Sequence, residues 1–176
     1  MKIGLCGTMS VGKTTLVNAL KELPEFKDYN FATERSKYLR DLGIPLNTDS
    51  TLKGQFIFLA ERCTELLQEN IITDRTVIDV MAFARCSESM YYFEADDFCQ
   101  FASYMLKKYD YIFYVSPEGV KIEDNGIRET NAEYRKLIDE SIQLLINKHK
   151  HRIKNYGVLE GSTEERIEQM LEVLPL

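Results

Sequence analysis

Short apolar runs and amphipathic stretches alternate along the chain from its first residues. Lys2-Ile-Gly-Leu-Cys6 is a compact apolar run that reads as a buried strand, and a helical pattern begins over Thr15–Leu20. Pro24 and the polar Glu25–Asp28 mark a connection, after which Tyr29-Asn-Phe-Ala-Thr33 alternates like a short strand and ends at Glu34-Arg35-Ser36. Lys37–Leu42 predicts a helical turn or two, closed by Gly43 and Pro45. Asp49-Ser50-Thr51 offers caps for a long amphipathic helix to about Glu69. Phe56, Leu59, Cys63, Leu66 and Leu67 would form its core face, with Gln55, Arg62 and Glu65 as its polar positions.

The alternation continues in the second half. Ile71-Ile-Thr73 predicts a strand that runs into Asp74-Arg75-Thr76, followed by a short helix over Val77–Ala84 that contains Asp79. Glu88–Asp97, with Tyr91, Tyr92 and Phe93, reads as a loop or lid, and Phe98–Lys108 as a helix. Asp110-Tyr-Ile-Phe-Tyr-Val115 is a dense β-branched and aromatic strand ended by Ser116-Pro117. A polar, turn-rich segment leads to a helix from about Asn131 to His149, and Tyr156-Gly-Val-Leu159 predicts a fifth strand. Ser162-x-x-Glu165 forms a capping box for a last helix with Ile167, Met170, Leu171 and Leu174 as its core face. Strands alternating with helices imply a three-layer α/β domain around a mostly parallel sheet, one domain over residues 1–176.

The first strand feeds directly into Gly7-Thr-Met-Ser-Val-Gly12-Lys13-Thr14, the pattern G-x-x-x-x-G-K-[ST] in its strand–loop–helix context. Gly7 and Gly12 allow a tight turn in which successive N–H groups point into one concavity. The following helix adds its partial positive end there. Ser10, Val11, Gly12, Lys13, Thr14 and Thr15 would thus surround a triphosphate, with Lys13 at the β/γ-phosphates and the Thr14 hydroxyl on Mg²⁺.

In parallel α/β sheets, ligand groups collect outside the carboxyl ends of the strands. Glu34 lies just past the second strand and is the candidate general base toward an acceptor hydroxyl, although a Glu at a helix start also simply complements the dipole. Asp74 and Arg75 end the next strand, where an acid suits Mg²⁺ ligation and a guanidinium suits a phosphate. A structural ion pair is the plainer account. Arg128 and Arg135 lie in a segment, about 117–135, that could close as a lid and neutralise charge on a transferred phosphoryl; as plain residues they would be solvated arginines. Gln55 could meet the edge of a nucleobase or sit in solvent, and the Glu160-Gly161-Ser162 turn lies where an adenine could pack.

Composition narrows the classes. Of 176 residues, 44% are apolar and 28% charged, as expected for a soluble globule with its own core. A net charge of −6 argues against broad attachment to nucleic acid or anionic membrane, leaving only the basic run Lys148–Lys154 as a local exception. That run sits at a helix C-terminus, where cations complement the dipole. Four scattered cysteines with no C-x-x-C pairing support neither zinc nor a disulfide framework. Without a signal peptide or an apolar stretch near ~20 residues, the expectation is a cytoplasmic protein with no membrane partner.

Taken together, Gly7–Thr14, Glu34-Arg35-Ser36, Asp74-Arg75-Thr76 and Asp124-Asn-Gly-Ile-Arg128 through Tyr134-Arg135 resemble the small nucleoside and nucleotide kinase branch of the phosphate-loop proteins. The likeness is to ribosylnicotinamide-kinase-like and deoxynucleoside-kinase-like ATPases, a group with bacterial and phage members. The resemblance implies a five-stranded sheet of order 2-3-1-4-5, an arginine lid, and in-line transfer of the ATP γ-phosphoryl to an acceptor. Onto this chain it carries Lys13 and Thr14 as holders of triphosphate and Mg²⁺, Glu34 as base, and Asp74 with Arg75 at metal and acceptor. It carries Arg128 and Arg135 into the lid. Two departures are visible: neither the Glu-Pro of deoxynucleoside kinases nor the Arg-Glu-Pro of thymidylate kinases follows the second strand. The acceptor therefore stays open among nucleosides, nucleotides, nicotinamide riboside and a hydroxymethylated base in DNA, and a homodimer stays open as well. The contrasting reading is a nucleotide-dependent switch ATPase; a GTPase is disfavoured because no N-K-x-D motif is present.

Overall fold

The computed structural model describes residues 1–33, 35–119 and 131–176. Glu34 and Arg128 lie outside the described residues, as does most of the expected lid. Five strands form one sheet: β1 (Lys2–Cys6), β2 (Asn30–Ala32), β3 (Ile71–Asp74), β4 (Tyr111–Val115) and β5 (Tyr156–Leu159), in the order β2-β3-β1-β4-β5. Every neighbouring pair is parallel, with Leu5 opposite Asp74, Cys6 opposite Tyr114 and Val115 opposite Leu159. This register aligns the carboxyl ends, so the residues following each strand gather on one rim.

Helices cover both faces because the central strands are apolar on both sides. On β4, Phe113 and Val115 point to one face and Ile112 and Tyr114 to the other. Helices α1 (Lys13–Lys21) and α7 (Thr163–Val173) cover the first face, where Leu16, Val17, Leu20 and Met170 pack on Ile3, Leu5 and Phe113. Helices α3 (Leu52–Glu65), α4 (Val77–Arg85), α5 (Tyr92–Ala102) and α6 (Ala132–His149) build the second core, with Met81, Phe98, Ile138 and Ile142 fully or almost fully buried. Each such side chain contributes about 1.5–3 kcal/mol relative to exposure. The short α2 (Ser36–Asp41) follows β2. The caps behave as the sequence implies: Thr51 accepts from the Gly54 N–H, and Ser162 and Glu165 bond reciprocally at the start of α7.

Two expectations require correction. The buried face of α3 is Gln55, Leu59, Arg62 and Leu66, whereas Phe56 and Leu67 are 44% and 81% exposed. The fully buried positions follow an i, i+4, i+7, i+11 spacing that shares Leu59 and Leu66 with the apolar stripe, and Cys63 packs against the same core while partly buried. Second, no loop spans Glu88–Asp97: α5 begins at Tyr92, with the Glu94 carboxylate accepting the Tyr91 N–H at 3.0 Å, and Ser103–Lys108 is a 3₁₀ turn. Tyr91 and Phe93 are exposed and stack on each other at 5.6 Å. They lie at the N-terminus of α5.

The basic run is largely engaged. Lys148 pairs with Asp96 at 3.2 Å, Lys154 with Asp110 at 2.8 Å, and the Arg152 guanidinium lies 4.2 Å from the centre of the Tyr104 ring. Among the described residues, no helix is long and apolar enough to cross a membrane.

Candidate active site

The loop between β1 and α1 follows a path that its glycines permit. Gly12 caps α1 in the left-handed region (φ 87°), and a Cβ on Gly7 would meet the Val115 carbonyl oxygen at 2.7 Å. Ser10 also takes a positive φ, 56°. Every carbonyl from Gly7 to Val11 accepts a hydrogen bond from a cationic side chain. Lys13 Nζ donates to Gly7 O (2.6 Å) and Thr8 O (2.7 Å). Arg135, on the first turn of α6, donates to Met9 O (3.2 Å) and Ser10 O (3.4 Å). Arg166, from α7, donates to Val11 O at 2.7 Å. The Thr8 hydroxyl returns a bond to the Arg135 carbonyl at 2.9 Å.

The entry to the loop is held from beneath. Asp79 is fully buried and accepts from the Gly7 N–H (3.2 Å), the Thr76 N–H (2.7 Å) and the Thr76 hydroxyl (3.0 Å). One carboxylate thus caps α4 and fixes the start of the loop. Lys13 is itself buried. Burial, and after it the positive charge of Arg75, hold its pKa below the ordinary lysine range, against Asp79 and Asp74. The positive charges of Lys13 and Arg75 therefore act on one another, and an anion placed near Lys13 would favour its charged form.

At the end of β3, the Thr14 hydroxyl donates to Asp74 at 2.5 Å, with Asp74 buried. A hydroxyl and a carboxylate side by side at the mouth of a phosphate loop suit Mg²⁺, which takes one or two protein oxygens and completes its shell with phosphates and water. Next to them Arg75 adopts φ 106°, a costly conformation for a non-glycine residue, while its N–H is held by Leu5 O at 3.0 Å. This bend sends its guanidinium over the Phe83 ring, 4.9 Å from the centroid.

Beyond Arg75 lies a narrow cleft of about 40 Å³, lined by Ser36, Leu46, Asn47, Ser50, Gln55, Phe58, Arg75, Asp79, Val80 and Phe83. Gln55 is 2% exposed, so the solvent account of this residue does not hold. Phe58 and Phe83 give the cleft flat apolar walls, and the Gln55 amide and Arg75 guanidinium supply hydrogen-bonding groups. Arg35, which follows Glu34, pairs with Glu61 on α3 at 3.3 Å.

The structure thus brings Lys13, Thr14, Asp74, Arg75 and Arg135 to one rim, with Gln55 in the adjoining cleft. Thr15 faces solvent on α1, and Gly161 (φ 81°) turns the chain from β5 into α7 on the other side of the loop. Asp79 was within reach of sequence reading, since Thr76-x-x-Asp79 is spaced like a helix cap. Arg166 and the cleft residues Asn47, Phe58 and Phe83 carried no such signal.

Comparison with known proteins agrees with this architecture. A family model described as an AAA domain (AAA_28) matches residues 2–166. No curated protein is significantly similar in sequence. Among solved structures, deoxyadenosine kinase from M. mycoides with bound dCTP superposes with a TM-score of 0.67 at 18% identity, covering 98% of this chain and 97% of that one. The same kinase with dCMP and a flexible dCDP bound gives 0.63 at 18% identity over 98% and 97%. YorR from Bacillus subtilis, in complex with phosphorylated GDP, gives 0.61 at 16% identity over 97% and 94%. At these identities the likeness is one of fold.

Proposed function

The chain belongs to the AAA_28 family of AAA domains, and from that premise we propose that it is an ATP- and Mg²⁺-dependent kinase acting on a nucleoside- or nucleotide-like acceptor. The observation that carries this reading is the junction at Arg75. A phosphate loop on one side and an aromatic-walled cleft on the other meet at one guanidinium, which leans on Phe83 in the cleft and shifts Lys13 in the loop. A switch ATPase needs the loop but has no use for a second, apolar cleft opening onto it. The deoxynucleotide and guanine-nucleotide complexes of the fold's solved neighbours support an acceptor of the same class.

In this reading the triphosphate enters the loop, and Lys13 exchanges the Gly7 and Thr8 carbonyls for phosphate oxygens. Mg²⁺ held at Thr14 and Asp74 would neutralise charge on the β- and γ-phosphates. The acceptor base lies between Phe58 and Phe83 with its edge at Gln55, and its entry widens the cleft. The acceptor oxygen bonds to the γ-phosphorus as the bond to the β–γ bridging oxygen breaks, leaving ADP. Glu34 takes the acceptor proton, and Arg75 with Arg135 stabilises charge on the phosphoryl in flight. The acceptor's binding energy then serves catalysis by aligning its oxygen.

The test is a transfer screen with γ-labelled ATP and Mg²⁺ over nucleosides, nucleoside monophosphates, nicotinamide riboside, and DNA with and without hydroxymethylated pyrimidine. Label on a free nucleoside or nucleotide is the expected result. Label on DNA would reassign the acceptor. Acceptor-independent hydrolysis that changes only with a protein partner would overturn the kinase reading.

A further inference from the structure

Arg166 has no place in the chemistry above, yet it is one of the most constrained cations in the molecule. It projects from α7 and is 3% exposed. Its guanidinium donates to two backbone carbonyls on different elements: Val11 O of the phosphate loop at 2.7 Å and Ser116 O, just past β4, at 3.2 Å. A Cβ on Gly12 would come within 3.1 Å of the same guanidinium. Among the described residues no carboxylate pairs with it, and burial alone depresses its pKa. A buried cation without an acid is costly in isolation. Something at this place must make the arrangement worthwhile.

The geometry of the peptide bond supplies a reason. In a planar trans peptide the C=O and the following N–H point in opposite directions. A guanidinium that draws the Val11 carbonyl toward α7 therefore turns the Gly12 N–H away from α7, into the concavity of the loop. Lys13 and Arg135 hold the other loop carbonyls, but both are candidates for direct contact with phosphate and would leave those carbonyls on binding. Arg166 is sealed behind the loop and stays. Among the described residues no acid compensates its charge, and an anion entering the loop would do so. The second bond, to Ser116, fixes the loop to the point where the 117–135 segment departs.

We propose that Arg166 is a positioning residue for nucleotide binding: it aims the Gly12 N–H at the phosphate site and ties the loop to the root of the segment after β4. This inference rests on the triphosphate-binding part of the proposed function and is independent of which acceptor is used.

Inorganic tripolyphosphate is the probe, because it tests the loop without base or acceptor. In the wild-type protein, labelled with ¹⁵N, the Gly12 amide should be among the resonances that move most on adding it. Arg166→Met, which removes both bonds, should weaken tripolyphosphate and ATP binding roughly ten- to hundredfold, the scale of losing a charge-assisted hydrogen bond, while acceptor affinity stays within about twofold. Arg166→Lys can reach only one carbonyl and should fall between. A folded Arg166→Met protein that binds tripolyphosphate like wild type, or a wild-type Gly12 amide that does not respond to bound probe, overturns the proposal and leaves the kinase reading standing. If Arg166→Met does not fold, the wild-type Gly12 response and the Arg166→Lys affinity decide, and a lysine variant equal to wild type in both affinity and Gly12 shift overturns it. A wild-type protein that binds no tripolyphosphate and no ATP overturns this proposal and the kinase reading together.

Discussion

In the proposed kinase reading, the donor and acceptor halves of the candidate site are built in opposite ways. The donor half is backbone: one contiguous stretch, Gly7–Thr14, whose carbonyls are gripped by Lys13, Arg135 and Arg166. The acceptor half is side chains, Ser36, Asn47, Gln55, Phe58, Arg75 and Phe83, drawn from separate helices, loops and a strand end. Backbone groups recognise what every triphosphate has in common. Side chains on independently placed elements recognise what differs between one acceptor and another. On that proposal, a chain built this way could keep its phosphate chemistry while its acceptor cleft changes.

The contrast breaks cleanly if each half is altered alone. Lys13→Ala should bring transfer down to the uncatalysed background, since it removes the charge closest to the moving phosphoryl; acceptor affinity measured without ATP should be unchanged. A single-turnover assay beside acceptor titration reads both. Glu34→Gln should lower turnover by roughly 10²–10⁴-fold with ATP affinity retained, as for loss of a general base. An unchanged turnover would remove Glu34 from the mechanism. On the other side, Gln55→Leu should raise the acceptor KM by about tenfold while the KM for ATP stays put, because the cost is one unsatisfied buried hydrogen bond in the cleft. Equal increases in both constants would show that the halves are not separable.

The smallest effect concerns stability, near the foot of α3. Glu65 accepts from Arg62 at 2.6 Å, yet burial outweighs that pairing and raises its pKa to about 7. A carboxyl with a raised pKa in the folded state binds more protons there than when unfolded, so its contribution is present below the unfolded value and is lost as pH rises toward 7. Thermal unfolding of wild type should thus show a loss of stability between about pH 4.5 and pH 7 that Glu65→Gln flattens. Parallel curves for the two proteins would place the proton elsewhere.

What the sequence disclosed follows the same divide. The strand ends at Asp74 and Val115 and the Ser162–Glu165 cap are local, because their geometry is set by neighbours a few residues away, and Gly7–Thr14 is legible because its residue types are contiguous even though distant side chains hold its shape. The α3 face departs from the apolar pattern for a tertiary reason. Hydropathy points to Phe56 and Leu67, but α3 turns Gln55 and Arg62 inward, the first to the cleft and the second to Glu65. Polar groups needed inside a site violate the pattern by which sites are sought. Likewise α5 begins early because Glu94 caps it through the Tyr91 N–H, a role that an acidic stretch among aromatics conceals. Arg166 could not be found at all, since nothing local separates it from any other helix arginine.

The five bonds onto the carbonyls of Gly7–Val11 bear on how portable such a site is. The signature octapeptide contains only part of the instructions for its own shape: Lys13 supplies two of the bonds from within, while Arg135 and Arg166 act from 126 and 155 residues away and Asp79 from 72. Cut out as a peptide, or grafted between a strand and a helix of another protein, those eight residues would retain their letters and lose their grip on phosphate. The same outsourcing leaves the residues between the two glycines free for other employment, with Val11 packed into the core and Thr8 bonded to α6.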